Sequence, residues 1–377
     1  MKSEIKLLMA ASLGMLSVTS TAFAAEEEVK AVPALSSVLE ASGITATGYV
    51  AASYYHSDQT NYAHQFDVEH ESFQLDQAAF TLAYQPKEGF GALVNVVAGQ
   101  DARIINAATS VGSVLTPADS SPYSIAQAYV QYVGGPVTIM AGKFATLAGA
   151  EVFAPTGNVN YSRSLLFFNE PLIHTGVRVA VAASDMFGFT VGVNNGWNYD
   201  STSQSKTTEL GISFTPSKKF SLLASGYTGQ DSFAVGKKTL VDLVATFNAT
   251  DSLAFVLSYD NGKQDYDDND PSFKWDGVAA YVNVAFSDQW RMSVRGEMLK
   301  GKYDGDVTDQ KLTEFTATLG FAPVKSFELR AEVRQDSTNK SAAGGFADGF
   351  IPKYKPTTSV TDTDSQLEFA LQGVYKF

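Results

Sequence analysis

The chain has 377 residues, with 27 Lys plus Arg against 40 Asp plus Glu, a formal net charge of −13 and no cysteine. That length can bury a large core, while the acid excess and the lack of any basic block exclude a nucleic-acid binder, which needs clustered Lys and Arg to neutralise phosphates. Zero cysteines remove disulfides, thiolate metal sites, cysteine nucleophiles and covalent haem attachment together.

Residues 1–24 have the three parts of a secretory signal: Lys2 and Lys6 at the start, an apolar stretch from Leu7 to Val18, and Ala22-Phe23-Ala24 as the small-x-small cleavage site. The stretch is shorter than the roughly 20 apolar residues of a spanning helix and runs straight into Glu26-Glu27-Glu28. Residues 25–43 follow as a separate segment. There Pro33 at a helix start, Leu35, Val38 and Leu39 at helical spacing and Gly43 as a stop predict a short amphipathic helix, placed in the periplasm or tucked into a lumen.

From residue 44 to 377 the chain alternates with a period of two. The alternation predicts sixteen strands, at 44–55, 72–84, 89–98, 123–133, 136–145, 173–184, 187–195, 206–215, 219–229, 237–248, 251–260, 273–286, 289–301, 309–321, 326–336 and 364–377. In the seventh, Phe187, Phe189, Val191 and Val193 oppose Gly188, Thr190, Gly192 and Asn194. In the thirteenth and fifteenth the opposing face is charged, with Arg291, Arg295 and Glu297 on one and Glu328, Arg330, Glu332 and Arg334 on the other. A soluble sandwich gives the same alternation. Two features favour an outer-membrane barrel. Many of the runs reach the 9 to 11 residues that a spanning strand needs. Short connections such as Gly134-Gly135, Asp185-Met186 and Ser287-Asp288 also alternate with long ones at 56–71, 99–122, 146–172 and onward. An all-β, antiparallel up-and-down transmembrane barrel with short periplasmic turns and long external loops follows. The last strand carries Leu367, Phe369, Leu371, Tyr375 and the terminal Phe377 on one face, and Tyr375 with Phe377 forms the expected signal for the outer-membrane assembly machinery.

The segments GKFATLAGAEVF and NVNYSRSLLFFNEPLIHTGVR, spanning Lys143 to Arg178, together with DQAAFTLAYQP at 76–86, resemble the OmpL-like β-barrel porins of Gram-negative bacteria. The resemblance covers essentially the whole chain after the leader. It implies an outer-membrane barrel that passes small solutes, and it brings no catalytic residue with it.

The third long loop, 146–172, is the expected constriction, because the third external loop of sixteen-stranded general porins folds into the barrel. Gly149, Pro155 and Gly157 allow sharp turns, Phe153, Tyr161, Leu165, Leu166 and Phe167 can pack it on the wall, and Glu151, Arg163 and Glu170 then reach the lumen. The facing wall is expected to present Arg291, Arg295, Glu297, Glu314, Glu328, Arg330, Glu332 and Arg334, hydrated and paired across strands, with Arg178, Asp242 and Glu368 as further lumen residues. The signs are mixed, and the net acidity leans toward cations.

No cofactor, metal or nucleic acid is called for. His56, His64 and His70 stand in the first long loop with Asp58, Asp67 and Glu69, at spacings that match no zinc or nickel pattern, so a solvated loop is expected. Asp265, Asp267, Asp268 and Asp270 lack the glycine and closing Glu of a calcium-binding loop. His174 with Ser164 and Glu170 lacks any nucleophile elbow, so no enzyme is expected. The functional expectation is a water-filled channel for passive diffusion, with lipid, lipopolysaccharide, the assembly machinery and small solutes as partners and a homotrimer as one assembly. The alternative is a non-conducting scaffold barrel that sheaths a partner protein.

Overall fold

The computed structural model describes residues 39, 41–58, 64–68, 71–109, 120–200, 206–230, 236–266, 271–305, 309–339 and 365–377. The leader and nearly all of the 25–43 segment lie outside these residues. The described residues form sixteen strands: β1 (Ile44–Ser57), β2 (Ser72–Tyr84), β3 (Gly89–Ala98), β4 (Tyr123–Gly134), β5 (Val137–Ala145), β6 (Ile173–Ala182), β7 (Phe187–Asn195), β8 (Lys206–Ser217), β9 (Phe220–Gln230), β10 (Lys237–Thr250), β11 (Leu253–Gln264), β12 (Phe273–Ala285), β13 (Trp290–Tyr303), β14 (Gln310–Val324), β15 (Phe327–Thr338) and β16 (Ser365–Lys376). Each pairs antiparallel with its sequence neighbours, and β1 pairs with β16 to close a barrel. The seam ends where Gly48 and Phe377 exchange both backbone hydrogen bonds, each at 2.9 Å. A Cβ on Gly48 would lie 2.4 Å from the Phe377 ring, so only glycine admits the terminal side chain there.

The two faces separate as the alternation predicts. Phe187, Phe189, Val191 and Val193 on β7 and Leu371, Tyr375 and Phe377 at the chain end are exposed on the outside, forming the apolar surface that hydrocarbon requires. Aromatic pairs mark the short-turn rim: Phe90 with Tyr132, Phe187 with Phe214, and Trp290 with Phe321, at ring separations of 4.9, 4.7 and 4.4 Å. No described helix is long and apolar enough to cross a membrane.

The inside is more filled than the sequence suggests. Within the 99–122 connection, read above as a plain loop, Gln100–Thr109 form helix α1. Its Ala102, Ile104, Ile105 and Ala108 pack with Val97, Ala126, Phe153, Phe167, Leu172 and Ile173 into one apolar cluster. The 146–172 loop carries a single 3-10 turn and the one-turn helix α2 (Leu165–Asn169), which starts where the Ser164 hydroxyl accepts the Phe167 amide at 3.1 Å. Leu165 and Leu166 of α2 enter a second apolar cluster with Trp197, Tyr227, Leu240, Phe273 and Trp275 from the wall.

Candidate functional site within the barrel

The period of two places Ser293, Arg295 and Glu297 of β13, Glu314, Thr316 and Thr318 of β14, Arg330, Glu332 and Arg334 of β15 and Glu368 and Gln372 of β16 on the inner face, all buried. Register sets Glu297 opposite Glu314, Thr318 opposite Glu332 and Arg334 opposite Glu368. Directly opposed like charges are unfavourable, and each carboxylate of the first pair turns to a different partner. Glu314 takes the Arg295 guanidinium at 3.1 and 3.2 Å, whereas Glu297 accepts the backbone amides of Leu165 at 2.6 Å and Leu166 at 3.4 Å.

Those amides belong to the 146–172 loop, which lies against this wall and is bonded to it along its length. Arg295 donates to Glu151 at 2.8 Å and to the Ser162 carbonyl at 3.0 Å. Glu332 accepts the amides of Tyr161 and Ser162 at 2.7 and 2.9 Å. Arg334 donates to the Arg163 carbonyl at 2.7 Å and Arg330 to the Pro155 carbonyl at 3.0 Å. Asn160 bridges Thr318 and Ser293. The wall charges differ from expectation in one respect. Arg295 is 0% and Arg334 1% exposed, so they are covered by the loop and hold it in place. A buried ion is tolerated only when paired and hydrogen-bonded, and each of these arginines is both.

The loop's own charges are likewise enclosed. Arg163 donates to the carbonyls of Val152, Tyr161 and Phe153 at 2.9, 2.6 and 2.8 Å and lies 5.2 Å over the Phe66 ring, clasping the loop on itself. Glu151 links Arg295 to the Ser164 amide, the latter at 2.6 Å. Glu170 is buried, and its Oε2 finds no hydrogen-bond partner. Burial, with the charges of Asp260 and Asp242, holds its carboxyl well above the usual carboxylate range. The remaining candidates lie elsewhere. Arg178 on β6 pairs with Glu209 of β8 at 2.6 Å and stacks 4.3 Å over Phe144. Arg291, nearer the short-turn rim, pairs with Glu328. Tyr375 and Phe377 are on the outer face, 49% and 64% exposed.

The first long loop was expected to be solvated, and at His64 the structure corrects this. Its ring is buried, with Nδ1 at 2.7 Å from Asp67 and Nε2 at 2.9 Å from Asp336 of β15. Burial and the Arg334 guanidinium oppose a charged ring, but Asp67, Glu368 and the hydrogen bond to Asp336 outweigh them and push its pKa up to about 10. Asp67 falls to about 2, where the His64 and Arg334 charges outweigh its own burial. The reason for the inward turn is Phe66, which joins the apolar cluster around α1 and carries its neighbours with it. His56 is half-buried beside Glu71, and His70 and Glu69 lie outside the described residues, as do Asp267, Asp268 and Asp270. Ser164 spends its hydroxyl on the α2 cap, and His174 stacks on Tyr227 at 5.2 Å.

Beside the loop is a cavity of about 10 Å³, lined by Phe66, Asp67, Asp76, Asp101, Pro155, Tyr161, Arg163 and Gln372. It has room for roughly one water. Asp76 accepts the Ser53 hydroxyl at 2.6 Å and Gln372 at 2.8 Å, and Asp101 at the start of α1 accepts Gln77 at 2.7 Å. Burial, then the charge of Asp76, raises the Asp101 carboxyl well above the usual range. Asp76 and Asp101 were not among the sequence candidates. Asp76 could have been found by extending the inner-face reading to β2, whereas Asp101 depends on a helix that the sequence reading missed.

The sequence model of the family described as "Putative beta-barrel porin-2, OmpL-like" matches residues 43–377. The chain belongs to this family. This OmpL-like barrel is an outer-membrane protein, and its fold matches solved outer-membrane proteins. One is OmpT of Vibrio cholerae, in vitro folded and in trimer form, at 12% identity and TM-score 0.63, with 89% of this chain and 99% of that chain covered. Another is the outer membrane channel DcaP of Acinetobacter baumannii, at 13% identity and TM-score 0.56, with 89% and 97% covered. A third is an anion-selective porin from Comamonas acidovorans, at 10% identity and TM-score 0.54, with 89% and 99% covered. At such identities the likeness is one of fold. No curated protein matches the OmpL-like chain.

Proposed function

We propose that this porin-like barrel is a passive diffusion channel for small hydrophilic solutes or ions, without catalytic activity, in which the 146–172 loop forms the constriction. The observation that carries this reading is the bonding of that loop to the inner wall by Arg295, Glu297, Glu332 and Arg334. With the loop pinned to β13–β15, the proposed path runs along its other flank, where a water-sized cavity is lined by Asp67, Asp76, Asp101 and Arg163. The signs at this flank are mixed, since Asp67 is answered by His64 and Arg334 and burial raises the Asp101 carboxyl, so it is the acid excess of the chain as a whole that leans the channel toward small cations. In this reading the exposed Tyr375 and Phe377 serve recognition by the assembly machinery, the apolar outer band meets lipid and lipopolysaccharide, and three copies assemble as in the trimer form of OmpT.

Planar-bilayer recording tests it. Stable ohmic steps, with a reversal potential in a salt gradient that shows cation preference, are expected. A silent bilayer from well-folded barrel overturns the channel reading in favour of a structural, non-conducting barrel, which one observation favours: two apolar clusters occupy the interior where a wide aqueous pore would be open.

A further inference from the structure

Glu170, Asp242 and Asp260 form a second charged group inside the barrel, and unlike the Arg295 and His64 networks it makes no ion pair among the described residues, although the Lys238 charge acts on Asp260. Asp242 on β10 stands directly opposite Asp260 on β11, and Glu170 descends on them from the end of the 146–172 loop. All three are buried, and one carboxylate oxygen from each lies within 4.8 Å of the other two. Ser225 donates to Asp242 Oδ1 at 3.0 Å. The other oxygens are unanswered: Asp242 Oδ2, Glu170 Oε2 and both oxygens of Asp260 are buried without a hydrogen-bond partner. Among the described residues none of the three makes an ion pair with Lys, Arg or His. Apolar side chains flank them, Leu240 on β10 and Trp275 and Ala279 on β12.

Three buried carboxylates with so little compensation are too costly to keep ionised, so either protons or a bound cation must answer them. We infer that Glu170, Asp242 and Asp260 bind a hard divalent cation, Ca²⁺ above all, which ties the constriction loop to β10–β11. The donors are all oxygens, which excludes soft-metal preference. Ca²⁺ takes oxygens at about 2.3–2.6 Å in flexible geometry, so three donors that all lie within 4.8 Å of one another can share one ion. Glu170 reaches the site because Gly149 passes close by: its φ is 86°, and a Cβ there would lie 1.9 Å from Glu170 Oε2. The other His-carboxylate group in the barrel makes the contrast. His64 has both ring nitrogens engaged, and Arg334 lies 3.8 Å from both Asp67 and Glu368, so its charges are answered from within.

The test uses the full chain folded in lipopolysaccharide-free detergent and stripped with a chelator, so that no current need pass and the result stands apart from the channel reading. Calorimetric titration with Ca²⁺ alone should show one saturable site, and Ca²⁺ should raise the thermal unfolding midpoint. Asp260→Asn should abolish both, and Glu170→Gln should weaken binding by roughly tenfold or more, since even outer-shell changes cost that much. If these variants fail to fold, Tb³⁺ soaked into wild-type crystals should give its anomalous peak between the three carboxylates. The inference is overturned by a wild-type protein that binds no Ca²⁺, by an Asp260→Asn protein that binds it equally well, or by a Tb³⁺ peak elsewhere. Failure of Ca²⁺ binding together with stabilisation by Asp260→Asn would mean that protons neutralise the cluster instead.

Discussion

Arg295→Met removes a fully buried guanidinium that donates to Glu151 at 2.8 Å, to Glu314 at 3.1 and 3.2 Å, and to the carbonyl and hydroxyl of Ser162, both at 3.0 Å. Met replaces the stem but not the charge, so Glu151 loses its ion-pair partner and Glu314 keeps only Arg334, at 4.0 Å. Breaking a buried pair from one side costs about 3–5 kcal/mol, most of it the stranded charge. Against this stands the apolar anchorage of the loop by Phe153, Leu165, Leu166 and Phe167, each buried and each worth about 1.5–3 kcal/mol. The anchorage exceeds the loss. The loop should therefore stay docked but open more often, while the ladders of β13 and β14 are untouched.

The quantities to measure are reversible urea unfolding from lipid vesicles, protease cleavage within 146–172 and open-channel current noise. Arg295→Met should lower stability by about 3–5 kcal/mol, speed cleavage and raise noise. The triple variant Arg295→Met/Glu151→Gln/Glu314→Gln removes the stranded charges and should recover most of that loss. Equal stability and cleavage in wild type and Arg295→Met would show that the buried charges do not pin the loop. A triple variant no better than the single one would refute the uncompensated-charge argument itself.

Val191→Arg on the outer face should hinder assembly or cost about 2–4 kcal/mol near the bilayer midplane, whereas the adjacent inward Thr190→Arg should assemble normally, as scored by heat-modifiable gel mobility. Deleting residues 153–166 should raise single-channel conductance with the barrel's circular dichroism unchanged; an unchanged conductance would place the constriction elsewhere. Arg163→Glu breaks the three carbonyl bonds that clasp the loop, so it should speed protease cleavage within 146–172 as well as shift the reversal potential toward cations, the latter by an amount that shrinks as salt rises. His64 has a folded pKa near 10, above its unfolded value of about 6.5, so its contribution is complete below about pH 6.5 and is lost as pH rises toward 10. Asp67 acts in the opposite sense, contributing above about pH 4 and losing that contribution as pH falls through about 2. Unfolding midpoints against pH should show the alkaline decline in wild type and a flatter profile in His64→Ala.

The strands, their faces and their order were legible in the sequence. A pleated strand sends successive side chains to opposite faces and lipid tolerates only apolar ones, so Phe187, Phe189, Val191 and Val193 announce the outside without reference to any other part of the chain. Short turns bring consecutive strands together, and sixteen of them in that arrangement close on themselves. What those inward charges touch was not legible. Arg295 meets Glu151 across 144 positions and His64 meets Asp336 across 272, distances over which no local period operates. The loops have no pleat to impose a rule on their side chains, so α1, the inward turn of Phe66 and the descent of Glu170 onto Asp242 and Asp260 emerge only once the barrel has closed. Register then decides which carboxylates face each other, and the need to cover apolar side chains inside decides which loops follow them in. The lumen is thus determined by closure and burial together, two conditions that no single stretch of this chain expresses.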